Sequence, residues 1–265
     1  MAAGIIHKGT GYMTQKKAVI ITAIPCEYAA VRRRLQNHVE DTHHSGTVYE
    51  IGEFSDWSVL IAEAGAGNER SAAEAERTIE YFKPHVILFV GVAGGVKDVS
   101  LGDVVCATKV YGYESGKDGD LFKPRPDVRN SADALISRAR AEGRKDDWRV
   151  ELQKEDLSET RNPKVFIAPI AAGAKVVAST RSATANFLRQ AYSDAVAVEM
   201  EGIGFLTAAS MTQSCLAMVI RGISDLVDKK AAADASGWQE IASERAAAFA
   251  FRVLSQLDPK VLLHP

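Results

Sequence analysis

Val196-Ala197-Val198-Glu199-Met200-Glu201-Gly202 is an apolar run that reads as a buried β-strand and ends in two carboxylates, two residues apart. An unpaired buried carboxylate is costly to desolvate, so these acids either meet buried donors or await a ligand that supplies them. The segments around them decide between the two. Downstream, Leu216 to Ile220 is a second buried strand, extended by Arg221-Gly222-Ile223-Ser224-Asp225. Upstream, strands are expected at Val165 to Ile170 and Lys175 to Ala178, with helices near Arg181 to Ala191 and Gly202 to Met211 between the strands.

The amino-terminal half repeats this alternation. Ala18 to Ile24 is a β-branched strand that feeds a helical pattern from Glu27 to Leu35. Val48 to Gly52 and Trp57 to Ala62 read as strands joined by a turn, and Gly65-Ala66-Gly67-Asn68 precedes a helix from Glu69 to Phe82 that stops at Lys83-Pro84. His85 to Val90 is the next buried strand, with Gly91-Val92-Ala93-Gly94-Gly95 expected as a glycine loop directly after it; Gly102-Asp103 opens another strand to Ala107. Tyr113 to Pro163 is a charged excursion on the core carrying a helix around Ser131 to Ala141, and a last amphipathic helix spans about Trp238 to Leu257. Strands alternating with helices predict an α/β protein, a three-layer α/β/α sandwich whose ligands sit at the carboxyl ends of the strands.

Composition narrows the function classes. The 265 residues are 46% hydrophobic and 25% charged, which suits one large globular core at 18–265 behind a loose leader at 1–17. Thirty-two basic against thirty-four acidic residues leave no field that would favour nucleic acid or an anionic membrane. Cys26, Cys106 and Cys215 are too few and too scattered for a disulfide framework or a zinc site, which fits a reducing cytoplasm. No stretch is long and apolar enough to span a membrane. Gly65 to Asn68 invites a dinucleotide reading, but Arg70 stands where that fingerprint needs glycine, and the following strand ends without a ribose-binding acid, so no such cofactor is expected.

Four strand-end segments, Ala23-Ile24-Pro25-Cys26-Glu27, Val90 to Gly95 with Gly102-Asp103, Val198 to Gly202, and Val219 to Asp225, together resemble the nucleoside phosphorylase and nucleosidase superfamily over roughly residues 17 to 257. Within it the sequence looks most like the methylthioadenosine/S-adenosylhomocysteine nucleosidases and related adenine nucleosidases. Tyr111 to Lys117, Ile170 to Ala178 and Gly237 to Glu240 look like a side branch found fused to signalling or NTPase modules, which implies a partner of that kind. The resemblance implies a phosphorylase/hydrolase fold with a central mixed sheet, a homo-oligomer, and a purine nucleoside or nucleotide as the small-molecule substrate, with no cofactor.

It also implies roles. Glu201 would accept hydrogen bonds from the ribose hydroxyls, Met200 would lie under the sugar, and Glu199 would be a structural partner. Asp225 would donate a proton to purine N7, with Ser224 and Arg221 orienting it, and Glu27 would activate the attacking water. Val92, Ala93 and Gly94 in the glycine segment, and Val176 and Val177, would complete the substrate site. Plainer readings stand beside these: acids at helix starts serve the helix dipole, and an Asp can cap the next helix. Val92 occupies a place where relatives commonly carry serine, and Thr22 to Glu27 lacks the phosphate-binding arginine of phosphorylases. The absent arginine and the present Glu27 favour hydrolysis; phosphorolysis, or a nucleotide sensor without turnover, are the alternatives.

Overall fold

The β-branched runs of the sequence become the strands of one sheet in the computed structural model, which describes residues 15–152, 162–212, 214–227 and 237–262. In chain order the elements are β1 (Lys16–Thr22), α1 (Pro25–Arg32), β2 (Gln36–Thr42), β3 (Val48–Phe54), β4 (Trp57–Glu63), α2 (Asn68–Phe82), β5 (Val86–Gly95) and β6 (Val104–Gly112). There follow β7 (Gly116–Lys117), β8 (Lys123–Pro124), β9 (Asp127–Asn130), α3 (Asp133–Gly143), a 3-10 turn (Asp147–Glu151), β10 (Val165–Ala172) and α4 (Ala183–Ala191). The chain continues through β11 (Ala197–Glu199), α5 (Gly202–Thr212), β12 (Leu216–Leu226), α6 (Trp238–Ser255) and a last 3-10 turn (Pro259–Leu262).

Strand order is β11-β10-β6-β12-β5-β1-β4-β3-β2, with β9 added to β6. Pairings around β1, β5 and β12 are parallel, whereas β6 runs antiparallel to β12 and the β2-β3-β4 meander is antiparallel. The sheet is therefore mixed, as expected. One face packs on α1, α3 and α6 through Val31, Leu135 and Phe251, and the other packs on α2 and α5 through Ile79 and Phe205. Each such fully buried side chain contributes roughly 1.5–3 kcal/mol, which is what holds the three layers together. Leu135, Ile136 and Trp148 show that the charged stretch at 113–163 feeds side chains into the main core.

One topological detail positions the site. β11 pairs in parallel with β10 and also antiparallel with β5, so β11, β10, β6, β12 and β5 close a ring. At the carboxyl end of β5, Gly94 has Val198 of β11 on one side and Asp225 of β12 on the other. The ends of two strands far apart in sequence are thereby brought together.

Three sequence expectations are corrected. Gly91 to Gly95 is not a loop, because β5 continues through it, paired with Arg221 to Leu226 of β12. Lys175 to Ala178 is not a strand: it has no pairing partner and Val176 is 60% exposed, so its β-branched residues lack the neighbours a strand needs. Of the leader expected at 1–17, residues 1–14 lie outside the described residues, while Lys16 and Lys17 already belong to β1. There Lys16 pairs with Asp56 at 2.6 Å and the Lys17 amide donates to His85 Nδ1 at 3.1 Å.

Candidate active site

Glu27 lies in the first turn of α1, just past the end of β1. Its carboxylate turns back to accept from the amides of Ala23 and Ile24, at 2.7 and 3.2 Å, and reaches across to the amide of Val92 at 2.8 Å. This ties the starts of a helix and of the β5 glycine segment to one carboxyl group. Burial pushes that group up to about 7, against the pull of the Arg221 charge and the amide bonds, while Glu201 adds to the rise. A carboxyl that titrates near neutrality is suited to act as a base.

Glu199 and Glu201 are satisfied in two different ways. β11 ends at Glu199, whose carboxylate accepts from the amides of Glu201 and Gly202, at 3.0 and 2.9 Å, and so caps the start of α5. Burial raises its pKa, with the Arg221 charge opposing and Glu201 reinforcing. Glu201, two residues on, presents Oε1 to the Gly67 amide and Oε2 to Arg221, both at 3.0 Å.

Arg221 is fully buried on β12, its guanidinium 4.5 Å above the Phe89 ring and donating to both Glu199 and Glu201. The expectation that it orients Asp225 is therefore corrected: the hydrogen bonds of its Nη2 go to the two acids at the end of β11. Burial works against its charge, yet Glu199, Glu201 and Glu27 hold its pKa above the ordinary value. Glycine at position 91 makes the arrangement possible, because a Cβ there would come within 2.2 Å of Arg221 Nη1 and 2.5 Å of Glu27 Oε1. Breaking a buried charge cluster at its hub is strongly destabilising. Arg221→Met is expected to lower unfolding free energy by about 3–5 kcal/mol at pH 8 and by clearly less at pH 5, where Glu27 holds its proton and no longer draws on the guanidinium charge. Denaturant titrations at the two pH values check this; an equal loss at both would show that the guanidinium acts only by packing.

Asp225 is buried near the end of β12. Between Ile223 and Asp225 the pairing to β5 slips by one residue, leaving Ser224 as a bulge. A bulge breaks the strict alternation of a strand, so Ser224 and Asp225 both line the same cleft. Ser224 Oγ stands 3.4 Å from Asp225 Oδ2, at the outer limit of a hydrogen bond.

The cleft has a volume of about 230 Å³. Glu27, Val92, Ala93 and Gly94 form one part of its wall, and Glu199, Met200 and Glu201 another. Val176, Val177, Ser224 and Asp225 complete the residues that the sequence nominates there; Arg221 alone of that set lies behind the lining. Among the described residues no cluster of His, Cys, Asp and Glu is arranged to hold a metal ion, and no helix is long and apolar enough to cross a membrane.

A family profile described as the phosphorylase superfamily matches residues 17–255. The chain belongs to this superfamily. Among its relatives is the 5′-methylthioadenosine/S-adenosylhomocysteine nucleosidase of Colwellia psychrerythraea, 28% identical over 93% of this chain and 98% of the relative. A death domain-containing ATP nucleosidase of Amphimedon queenslandica is 27% identical over 99% of this chain, which spans only 52% of that relative's length. In three dimensions, the 5′-methylthioadenosine/S-adenosylhomocysteine nucleosidase of Helicobacter pylori superposes with a TM-score of 0.76 at 21% identity, over 92% of this chain and 99% of that one, a likeness of fold.

For a phosphorylase-superfamily chain, three polar residues at this site escaped the sequence reading. Lys175 and Gln239 line the cleft, and Glu114 holds Lys175 by an ion pair of 3.0 Å while accepting from the Ala174 amide at 2.6 Å. Lys175 was hidden inside a run that looks like a strand. All three carried a signal only as parts of the side-branch segments Tyr111 to Lys117, Ile170 to Ala178 and Gly237 to Glu240.

Proposed function

We propose that this chain is a purine nucleosidase, cleaving the N-glycosidic bond of an adenine nucleoside or nucleotide with water and releasing the free base. The observation that carries this reading is the convergence of Glu27, Glu201 and Asp225 on one cleft at the strand ends, with Glu27 buried and titrating near neutrality. Cleavage passes through an oxocarbenium-like sugar, which requires help for the leaving base and a nucleophile on the opposite face. Glu27 takes a proton from water as its oxygen bonds to C1′. The C1′–N9 bond breaks, and the electron pair left on the base is neutralised by the proton that Asp225 gives to N7. Glu201 accepts from the ribose hydroxyls, and its charge stabilises the positive sugar in the transition state. Glu199 in the wall and Arg221 behind it hold Glu201 in place.

Hydrolysis is favoured over phosphorolysis by the charges at the cleft. Among the described lining residues the cation is Lys175, already paired with Glu114, and Arg221 lies behind the lining with its Nη2 held by Glu199 and Glu201, so the lining offers phosphate no unpaired cation. The relatives act on substrates with different 5′ groups, a thioether in one case and a triphosphate in another, so the 5′ substituent is best found by screening. Adenosine, methylthioadenosine, S-adenosylhomocysteine, AMP and ATP should be incubated with the protein with and without phosphate, and base and sugar products separated by chromatography. Free adenine and free sugar at a phosphate-independent rate are expected. A phosphate-dependent rate giving a sugar 1-phosphate would make the protein a phosphorylase, and binding without any base release would make it a sensor.

A further inference from the structure

The glycine segment Gly65 to Asn68, which lacks the dinucleotide fingerprint, lies against Glu201. Gly67 is the residue before α2 and Glu201 the residue before α5, so the starts of two helices meet here. The amides at a helix start have no partner within their own helix and need acceptors from outside. These two helices supply acceptors to each other. The Gly67 amide donates to Glu201 Oε1 at 3.0 Å, and the Gly204 amide of α5 donates to Asn68 Oδ1 at 3.1 Å. Ser71 Oγ adds a bond of 2.7 Å to the Glu201 carbonyl. The backbones touch, since a Cβ on Gly204 would fall 1.9 Å from the Asn68 carbonyl oxygen.

We infer that Asn68 is a positioning residue for Glu201: its side chain clasps the start of α5 to the start of α2, and that clasp holds the Glu201 carboxylate in register for the sugar hydroxyls. Asn68 does not line the cleft itself, so it acts through Glu201. Without the Asn68 acceptor the Gly204 amide loses its partner, the two helix starts separate, and Glu201 follows one of them. The inference rests on the assignment of Glu201 to the ribose.

Asn68→Ala removes the acceptor, and Asn68→Asp returns an oxygen to the same place. With the best ribonucleoside of the screen, Asn68→Ala is expected to lower kcat/KM about tenfold, the size of a lost helix cap, and Asn68→Asp to recover most of it. With the 2′-deoxy analogue, which lacks part of what Glu201 grips, the loss should shrink to about twofold, because the two changes remove one interaction. Equal losses on both substrates would overturn the inference. Amide hydrogen exchange at Gly67 supplies a readout that needs no turnover: exchange should speed up in Asn68→Ala and slow again in Asn68→Asp, and unchanged protection would equally overturn the clasp. If the wild-type protein releases no base from any nucleoside, the nucleosidase reading fails while the exchange comparison still decides the clasp. Should Asn68→Ala not fold, Ser71→Ala takes its place with the same expected pattern.

Discussion

Asp225→Asn is expected to lower kcat/KM for an adenine nucleoside by about 10³-fold or more while costing less than about tenfold on a riboside whose leaving group departs as a stable anion, such as p-nitrophenolate. The asparagine amide fills the same space beside Gly94, whose missing side chain leaves 3.0 Å between a would-be Cβ and Asp225 Oδ1. What it cannot do is give a proton to N7. A purine anion is a poor leaving group, so the unprotonated path is slow, whereas p-nitrophenolate needs no proton. The difference between the two substrates isolates the acid role from any role in folding. Steady-state kinetics on both substrates, with circular dichroism to confirm the fold, make the comparison. Equal losses on both would show that Asp225 is structural and that another group protonates the base.

The bulge at Ser224 gives that test its structural meaning. In an unbroken strand Ser224 and Asp225 would point to opposite faces, one of them into the packed layer of α2 and α5 or of α1 and α6. The slip between Ile223 and Asp225 turns both toward the cleft at the point where β11 closes the ring onto β5. The ring brings Val198 to Gly94 and so sets Glu199 to Glu201 beside Asp225. Ring closure and bulge are thus the two fold-level devices that place two acids from distant strands in one cleft.

Much of this was legible from local pattern, and the failures share a cause. Val86 to Val90 and Leu216 to Ile220 are buried on both faces, so their continuous apolar runs marked them as central strands. Gly91 to Gly95 looked like a loop because glycine usually punctuates secondary structure; here Gly91 keeps a strand going where Arg221 and Glu27 leave no room for a Cβ. Polar β2 (Gln36–Thr42) gave no strand signal, because an edge strand paired on one side only and largely solvated carries no apolar face. The partnership of Arg221 with Glu199 and Glu201 has no local signature, since it depends on which strands become neighbours. Motif order named residues that the fold brings to one cleft, but not the partner to which each is bonded.

Glu27 gives the remaining large effect, and it couples activity to stability with opposite signs. Only the ionised carboxylate can take a proton from water, so the base contributes a rise of kcat/KM with pH through about 7. Glu27→Gln should lower kcat/KM by about 10²-fold or more and abolish that rise, because the amide has no proton to lose. Stability runs the other way. The folded-state carboxyl is raised from 4.5 to about 7 by burial, so its protonated form is the one the fold prefers. That contribution is complete below the unfolded value and is lost as pH rises through about 7, where an ionised carboxylate must be kept out of water. Glutamine resembles the protonated acid, with one carbonyl oxygen to share among the amides of Ala23, Ile24 and Val92. The melting temperature of Glu27→Gln relative to wild type should therefore move in the mutant's favour between pH 5 and pH 8, over the same interval in which wild-type activity climbs. A stability difference that stays constant across this range, or a pH–rate profile unchanged by the mutation, would place the base elsewhere in the cleft. If both move together, the buried acid that makes the fold less stable above neutrality is the same group that makes the water reactive.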